Sequence, residues 1–185
     1  MSNNGTVQIQ AKKQGKNGTY LDLYPKSKYD PTAYERPVLT VDIAVFRHIP
    51  KSGIGNGFRD QILLIKRGQA PFKNRWAFPG GYVNVRDLES IDEAVLRELH
   101  EETGVTNLLC TPEQFRTYAS AERDPRWYTV DTVYQYHMSG MEADLVKPKA
   151  GDDAAEVKWF NVTDAMKLKL AFDHNVILED LLARP

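Results

Sequence analysis

Three glutamates in one short segment are the residues of this sequence best suited to chemistry. Glu98, Glu101 and Glu102 are spaced at i, i+3 and i+4. On a helix that turns by about 100° per residue, they continue the apolar, core-facing stripe of the preceding turns. Clustering carboxylates there is costly unless a cation compensates, and Mg²⁺ or Mn²⁺ prefers such oxygen ligands. A solvated acidic helix end is the alternative, and the phase of the side chains supports the two interpretations about equally.

The helix that carries these glutamates is predicted over residues 90–103. Ser90 followed three residues later by Glu93 fits a capping box. Gly104 stands where a helix commonly ends in a left-handed residue. The predicted helix therefore has a start and a stop signal, and its last turn holds the acidic cluster.

The wider spacing around this helix resembles the Nudix box, whose pattern is G-x5-E-x7-R-E-U-x-E-E-x-G-U, with U a bulky aliphatic residue. Every fixed position from Glu89 to Val105 matches this pattern. One departure lies before the helix, where seven residues instead of five separate Gly81 from Glu89, at a place where extra loop length is tolerated. On these residues the chain is identified as a member of the Nudix family.

The resemblance implies an α/β fold, the Nudix-type α/β/α sandwich with a mixed β-sheet. It also implies that the three glutamates hold Mg²⁺ or Mn²⁺, with the carbonyl group of Gly81 as an additional ligand. By the same resemblance, Arg97 pairs with Glu89 and fixes the loop against the helix. A surface ion pair worth little is the alternative for that contact.

Nudix hydrolases cleave a nucleoside diphosphate linked to another group, by attack of water on phosphorus with the help of a divalent metal. The catalytic base implied here is Glu101 or Glu102, or an acid on the loop before the last strand. Asp153 is the preferred loop candidate over Asp152, since Glu156 is expected inside the strand. A solvated turn explains the two aspartates equally well.

Three segments outside the box resemble one subgroup of the family, the ADP-ribose pyrophosphatases and the related ADP-ribose-sensing repressors. These segments are residues 66–81, the Arg123-Asp124-Pro125-Arg126 sequence and residues 170–174. The substrate implied is ADP-ribose, cleaved to AMP and ribose 5-phosphate. A broader nucleoside-diphosphate-sugar hydrolase and a nucleoside-triphosphate hydrolase stay open as alternatives.

Four residues of these segments are candidate substrate contacts. Arg67 and Arg126 could clamp phosphates, because guanidinium groups suit bidentate phosphate contacts. Trp76 could stack on adenine, although a single aromatic residue more often packs in a core or an interface. His174 could act in acid–base chemistry or contact the substrate, with a structural hydrogen-bonding role as the alternative. Further stacking candidates are Trp127, Tyr128, Tyr20 and Tyr24.

The elements that must position these residues follow from the hydrophobic pattern. Period-2 alternation and short apolar runs predict strands at 39–45, 62–65, 115–120, 128–138 and 156–160, with an interrupted strand over 76–82. The first two are expected to pair as a hairpin. A final helix is predicted from about Asp173, burying positions 176, 177, 181 and 182. Residues 1–35 are predicted to be an arm, flexible or exchanged in a dimer, and 36–185 the Nudix hydrolase domain.

The composition is that of an ordinary globular protein. The 185 residues suit one domain, and a net charge of −1 lacks the basic excess typical of nucleic-acid binders. A single cysteine, Cys110, excludes a disulfide framework and a cysteine-based zinc cluster. No apolar run approaches the roughly 18 residues of a membrane span, and no signal peptide is recognisable. We therefore expect a cytoplasmic protein without membrane or nucleic-acid partners.

A sensor that binds ADP-ribose and regulates transcription is the alternative from another functional class. The related repressors carry a winged-helix segment after the Nudix domain, whereas this sequence ends at Pro185, directly after the predicted last helix. The balanced charge and the intact glutamates also favour an enzyme. A homodimer is expected, because ADP-ribose hydrolases of this family commonly pair.

Overall fold

The structure, a computed structural model, describes residues 35–50, 58–151 and 154–183. Its strands are β1 (Val38–Pro50), β2 (Phe58–Arg67), β3 (Trp76–Ala77), β4 (Gly80–Tyr82), β5 (Glu113–Tyr118), β6 (Thr129–Met138) and β7 (Ala154–Asn161). Its helices are α1 (Ile91–Thr103), α2 (Gly140–Leu145), α3 (Val162–Ala165) and α4 (His174–Ala183), with a short 3-10 helix at Val85–Asp87. The predicted strands and the two predicted helices are therefore present.

The seven strands form one mixed sheet. Its order is β3-β2-β1-β6-β5, with β4 paired to β1 and β7 paired to β2. The pair β1–β6 is parallel, and the pair β1–β2 is the expected antiparallel hairpin. β1 lies between β2 and β6 and also pairs with β4. Residues along β1 therefore contact three other strands.

The side chains of β1 alternate between the two faces of the sheet. Val41 and Ile43 pack with the apolar face of α1, whereas Ala44 and Phe46 pack with Ile177 and the other buried residues of α4. Burial of alternating positions on both faces is the pattern of a sheet covered by helices on each side. The predicted α/β/α sandwich is confirmed.

The ends of α1 follow the sequence signals. The hydroxyl oxygen of Ser90 accepts a hydrogen bond from the Glu93 N–H (3.2 Å), and the Glu93 carboxylate accepts one from the Ser90 N–H (2.9 Å). Gly104 adopts φ 68°, and its N–H donates to the carbonyl oxygen of His100 at 2.8 Å. The capping box and the left-handed stop are thus both formed, and they fix which turn carries the glutamates.

The last helix differs from the prediction in its phase. Its buried residues are His174, Ile177, Leu178 and Leu181, while Val176 and Leu182 are exposed. The prediction that positions 176 and 182 face the core was wrong, because the helix buries the i, i+3, i+4 and i+7 positions counted from its first residue.

Several expectations fall wholly or partly outside the described residues. The predicted arm covers residues 1–35, of which the structure describes only residue 35, so the stacking candidates Tyr20 and Tyr24 lie outside. The candidate bases Asp152 and Asp153 also lie outside the described ranges. Within those ranges, no helix is long and apolar enough to cross a membrane.

Candidate active site

A cleft of about 300 Å³ opens where β4, the last turns of α1 and the loop before α4 meet. It brings together most of the candidate residues. Those that line it are Gly81, Arg97, Glu98, Glu101, Glu102, Arg67, Arg126 and His174. The cleft therefore combines box carboxylates with guanidinium groups from outside the box.

Glu102 is the most buried of the three glutamates, with 7% of its surface exposed. One carboxylate oxygen accepts a hydrogen bond from the Gly80 N–H at 2.9 Å. Burial raises the pKa of Glu102 to about 8, against the opposing effect of that hydrogen bond. Burial also raises the pKa of Glu98. Two box carboxyls are therefore held where their ionised forms are costly.

Arg97 gathers the carboxylates of the box around one guanidinium group. Its Nε lies 2.6 Å from Oε1 of Glu89, and its Nη1 lies 2.6 Å from Glu98 and 2.8 Å from Glu101. Its Nη2 donates to the carbonyl oxygen of Tyr82 at 2.8 Å. The hydrogen bonds with Glu89, Glu98 and Glu101 raise the pKa of Arg97. The structure thus places Arg97 against Glu89, and links the loop, β4 and α1 through one side chain.

A divalent cation fits this donor set chemically, although the side chains are not gathered around one point. Glu98 and Glu101 turn toward Arg97, and Glu102 turns toward Gly80; among the described residues no acidic trio converges as a ligand cage. All donors are carboxylate oxygens, which suit Mg²⁺ or Mn²⁺. A Cβ at Gly81 would lie 2.6 Å from Oε1 of Glu98. A larger residue at this position would therefore require the Glu98 carboxylate to move.

Two arginines from other elements, Arg67 and Arg126, also line the cleft. Arg67, at the end of β2, donates from Nε to the carbonyl oxygen of Pro71 (2.9 Å), and its Cζ lies 4.9 Å from the ring centre of Phe172. Arg126 is held by two hydrogen bonds to Asp124, at 3.0 and 2.7 Å. Burial, followed by the charge of Arg126, lowers the pKa of Arg67. An anion between these two guanidinium groups would relieve that repulsion.

A largely buried ionic network, whose residues Asp42 and Arg123 also line the cleft, was missed by the sequence analysis. Nη2 of Arg123 donates to Asp131 (3.0 Å) and to Asp173 (2.9 Å). The Asp131 side chain is fully buried and also accepts from the Thr40 hydroxyl at 2.9 Å. Burial, together with the neighbouring charge of Asp42, raises the pKa of Asp131 well above its usual range. Acidic residues inside the two apolar strands β1 and β6 were the available signal.

The two remaining candidates for substrate contact, His174 and Trp76, differ in their position relative to the cleft. His174 lines the cleft but is 2% exposed, and both of its ring nitrogens face protein groups, the Phe78 N–H and the Asp42 carboxylate. Trp76 does not line the cleft. Its ring packs edge-on against Phe160, with centres 4.7 Å apart. Core packing, the alternative raised for Trp76, describes its position because β3 turns the ring away from the cleft.

A family profile described as the NUDIX domain matches residues 54–181. The chain therefore belongs to the Nudix family. It is 40% identical over 123 residues to the ADP-ribose pyrophosphatase of Methanocaldococcus jannaschii, covering 66% of either chain. It is 32% identical over 158 residues to the ADPR-responsive transcriptional repressor NtrR of Acinetobacter baylyi, covering 85% of this chain and 58% of that one.

Among solved structures, the NUDIX domain of Shewanella oneidensis NrtR complexed with ADP ribose superposes with a TM-score of 0.71. The two are 30% identical, and the match covers 85% of this chain and 94% of that one. The chain spans 66% and 58% of the length of the two curated relatives named above. The relatives thus include an enzyme and a regulator.

Proposed function

We propose that this protein is a Nudix pyrophosphohydrolase that cleaves ADP-ribose to AMP and ribose 5-phosphate with Mg²⁺ or Mn²⁺. The observation that carries the proposal is one cleft lined both by the box carboxylates and by Arg67 and Arg126. A diphosphate needs a cation at its phosphates and donors along its length. The carboxylates would hold the cation, and the arginines would supply the donors. The name of the Methanocaldococcus jannaschii relative supports the choice of substrate.

Glu98, Glu101, Glu102 and the carbonyl group of Gly81 would hold the metal. When bound, a divalent cation neutralises phosphate oxygens and lowers the pKa of a coordinated water. Arg97 would set the direction of Glu98 and Glu101, to which it is bonded at 2.6 and 2.8 Å. The fork geometry of guanidinium suits this orienting role.

Glu101 is the better placed of the two helical candidates for the general base. Its side chain lines the cleft and is 38% exposed, whereas Glu102 is buried and accepts a hydrogen bond from the Gly80 N–H. A base must reach the attacking water, directly or through one other water. Asp153, outside the described residues, stays a candidate for the same role.

Arg67 and Arg126, which line the same cleft, would bind phosphate oxygens. Arg126 is pre-oriented by Asp124 and lies 5.4 Å from the ring centre of Tyr82. Arg67 is held by the Pro71 carbonyl oxygen and the Phe172 ring. Holding the side chains in advance reduces the entropy lost when a ligand binds.

The test is turnover of ADP-ribose with Mg²⁺, measured as phosphate released from the products by an added phosphatase. We expect the wild type to be active and Glu101→Gln to lose at least about 100-fold in kcat, within the range for a general base. Glu122→Gln, at an exposed turn, serves as the matched control and should keep wild-type turnover. UDP-glucose in the same assay, and 8-oxo-dGTP assayed without phosphatase by the pyrophosphate released, test the broader alternatives. A clear preference for either would overturn ADP-ribose as the substrate.

A second candidate function, an ADP-ribose-responsive regulator, is favoured by the similarity to the Acinetobacter baylyi repressor and to the Shewanella oneidensis NrtR domain. Such a protein would bind ADP-ribose without cleaving it. Calorimetry with ADP-ribose, followed by analysis of the recovered ligand, separates the two functions. Intact ligand after prolonged incubation with Mg²⁺ and Mn²⁺ would favour the regulator.

A further inference from the structure

We propose that His174 is a positioning residue whose imidazole fixes residues 78–81 against the metal-binding side of the cleft. The sequence offered His174 as an acid–base or substrate-contacting group, with a structural hydrogen-bonding role as the alternative, and its contacts in the structure agree with that alternative. The inference rests on the proposed function for the identity of the cleft. It concerns how the backbone of β4 is held.

Both ring nitrogens of His174 are already used by the protein. Nδ1 lies 3.0 Å from the backbone nitrogen of Phe78. An N–H group can only donate, so Nδ1 carries no proton and the ring proton is on Nε2. Nε2 lies 3.3 Å from Oδ2 of Asp42. A general acid or base needs a nitrogen that reaches the substrate. Both nitrogens of this ring instead contact protein groups.

The plane of the ring is fixed by its aromatic neighbours. The His174 and Phe78 rings are stacked, with centres 5.0 Å apart and an interplanar angle of 15°. The Phe172 ring lies 5.5 Å away on a tilted plane. His174 is the first residue of α4. Its imidazole therefore links α4 to Phe78, two residues before β4.

The backbone that follows Phe78 carries two groups of the candidate metal site. The Gly80 N–H donates to Glu102 at 2.9 Å, and Gly81 supplies the carbonyl group expected to bind metal. Between them and Phe78, the Pro79 carbonyl oxygen accepts from the Ile43 N–H at 2.9 Å. The bond from His174 thus lies at one end of a short segment whose other end faces the carboxylates.

This segment has little room to adjust if its anchor is lost. β4 has only three residues, and a Cβ at Gly80 would collide with the carbonyl oxygen of Val41. A displaced Phe78 would therefore move the Gly80 N–H and the Gly81 carbonyl group with it. Partners that orient metal-binding groups are typically worth about 10- to 100-fold in metal affinity.

Two substitutions separate the bonds made by the two ring nitrogens. In His174→Asn, the amide oxygen stands where Nδ1 stood and can still accept from the Phe78 N–H. In His174→Gln, the amide nitrogen stands near Nε2 and can still donate to Asp42, but the acceptor for Phe78 is lost. We expect His174→Asn to bind Mn²⁺ within about threefold of the wild type and His174→Gln to bind it at least about tenfold more weakly, measured by electron paramagnetic resonance. The same two substitutions at His48, which lines a separate cavity, should leave the affinity unchanged.

Equal losses of Mn²⁺ affinity in the two variants, in step with equal losses of thermal stability, would overturn the proposal in favour of simple packing. Retention of affinity by His174→Gln would also overturn it. Should a variant fail to fold, NMR of the wild type provides the test. We expect a scalar coupling across the hydrogen bond between the Phe78 amide nitrogen and His174 Nδ1. A proton on Nδ1 would show that this nitrogen does not accept the bond and would overturn the proposal. If ADP-ribose is not cleaved while the order of Mn²⁺ affinities holds, only the proposed function fails.

Discussion

Glu102 is held in the cleft as a carboxyl group whose ionised form is costly. Burial is the main cause of its pKa of about 8, and the charges of Glu98 and Asp42 add to it. Because this folded-state pKa lies above the ordinary value of 4.5, the group contributes stability that is fully present below 4.5 and is lost as the pH rises toward 8. A cation that binds the ionised group must first displace its proton. Metal binding and proton release are therefore coupled at this residue.

We expect the affinity for Mn²⁺ to rise by up to about tenfold per pH unit between about pH 6 and pH 8 and to level off above it, because one proton leaves Glu102 on binding. Calorimetry in two buffers with different ionisation enthalpies counts the protons released. Glu102→Gln should bind Mn²⁺ more weakly and lose this pH dependence, while Glu122→Gln should keep it. A wild-type affinity that does not change with pH would contradict the raised pKa of Glu102.

The planar guanidinium group of Arg97 is expected to orient the carboxylates of the box. Replacement by lysine keeps the positive charge but removes the planar fork that contacts Glu89, Glu98 and Glu101. We expect turnover of ADP-ribose by Arg97→Lys to fall by about 10- to 100-fold, the range found for groups that orient metal ligands. Arg86→Lys, at an exposed position of the 3-10 helix, is the control. Wild-type turnover in Arg97→Lys would show that the carboxylates do not depend on the fork.

The loop between β5 and β6 is joined to its neighbours by a buried ion cluster. Arg123 is 7% exposed and contacts Asp131 of β6 and Asp173 at the start of α4. Within the same loop, Asp124 holds Arg126 at the mouth of the cleft. Arg123 thus ties the loop to β6 and to the start of α4. The loop can therefore hold Arg126 in a fixed position at the cleft.

Arg123→Met tests that link between elements. Removing the arginine leaves two carboxylates without their partner, one of them fully buried, and breaking such a pair typically costs about 3–5 kcal/mol. Urea unfolding should show a loss of that order in the free energy of unfolding. Arg116→Met breaks a surface pair with Asp180 and should cost at most about 1 kcal/mol. Similar losses in the two variants would mean that the buried cluster contributes no more than an exposed pair.

Local signals predicted the elements better than the contacts between them. The capping box and Gly104 gave the bounds of α1, because both signals lie within a few residues of its ends. Asp42 and Asp131 stand out as acidic residues in apolar strands, but no local signal shows that they lie close together. Their proximity depends on the parallel register of β1 and β6. The face of α4 was misjudged for a related reason: Val176 and Leu182 are apolar, and only packing against the sheet decides which side is buried.

The cleft exists only at the scale of the whole molecule. Asp42, Arg67, Glu102 and His174 come from β1, β2, α1 and α4, and sequence spacing relates none of them to another. The Nudix box could be recognised because its members lie within one continuous segment of the sequence, from Gly81 to Val105. Arg67 and Arg126 were proposed from segments that resemble the subgroup, whereas the anchoring of residues 78–81 by His174 required the assembled sheet.

We expect the full chain to be a homodimer in solution, as the family resemblance implies. Exposed aromatic side chains lie beside the start of β1, where the Val38 N–H donates to the Tyr128 carbonyl oxygen (3.0 Å) and Trp127 Nε1 donates to that of Arg36 (3.3 Å). Trp127 is 56% exposed, and Leu39 is exposed nearby; apolar surface of this kind commonly marks an association site. Light scattering should give about twice the chain mass of 21.1 kDa.

Trp127→Ser tests whether this surface is the one that associates. Removing a large exposed apolar side chain from an interface weakens association, so the variant should dissociate at a higher protein concentration than the wild type. Met141→Ser, which removes an exposed apolar side chain from α2, should leave the dimer intact and controls for general loss of apolar surface. A wild-type mass of 21.1 kDa at every concentration would refute the dimer, and a dimer weakened by Met141→Ser but not by Trp127→Ser would place its interface on α2.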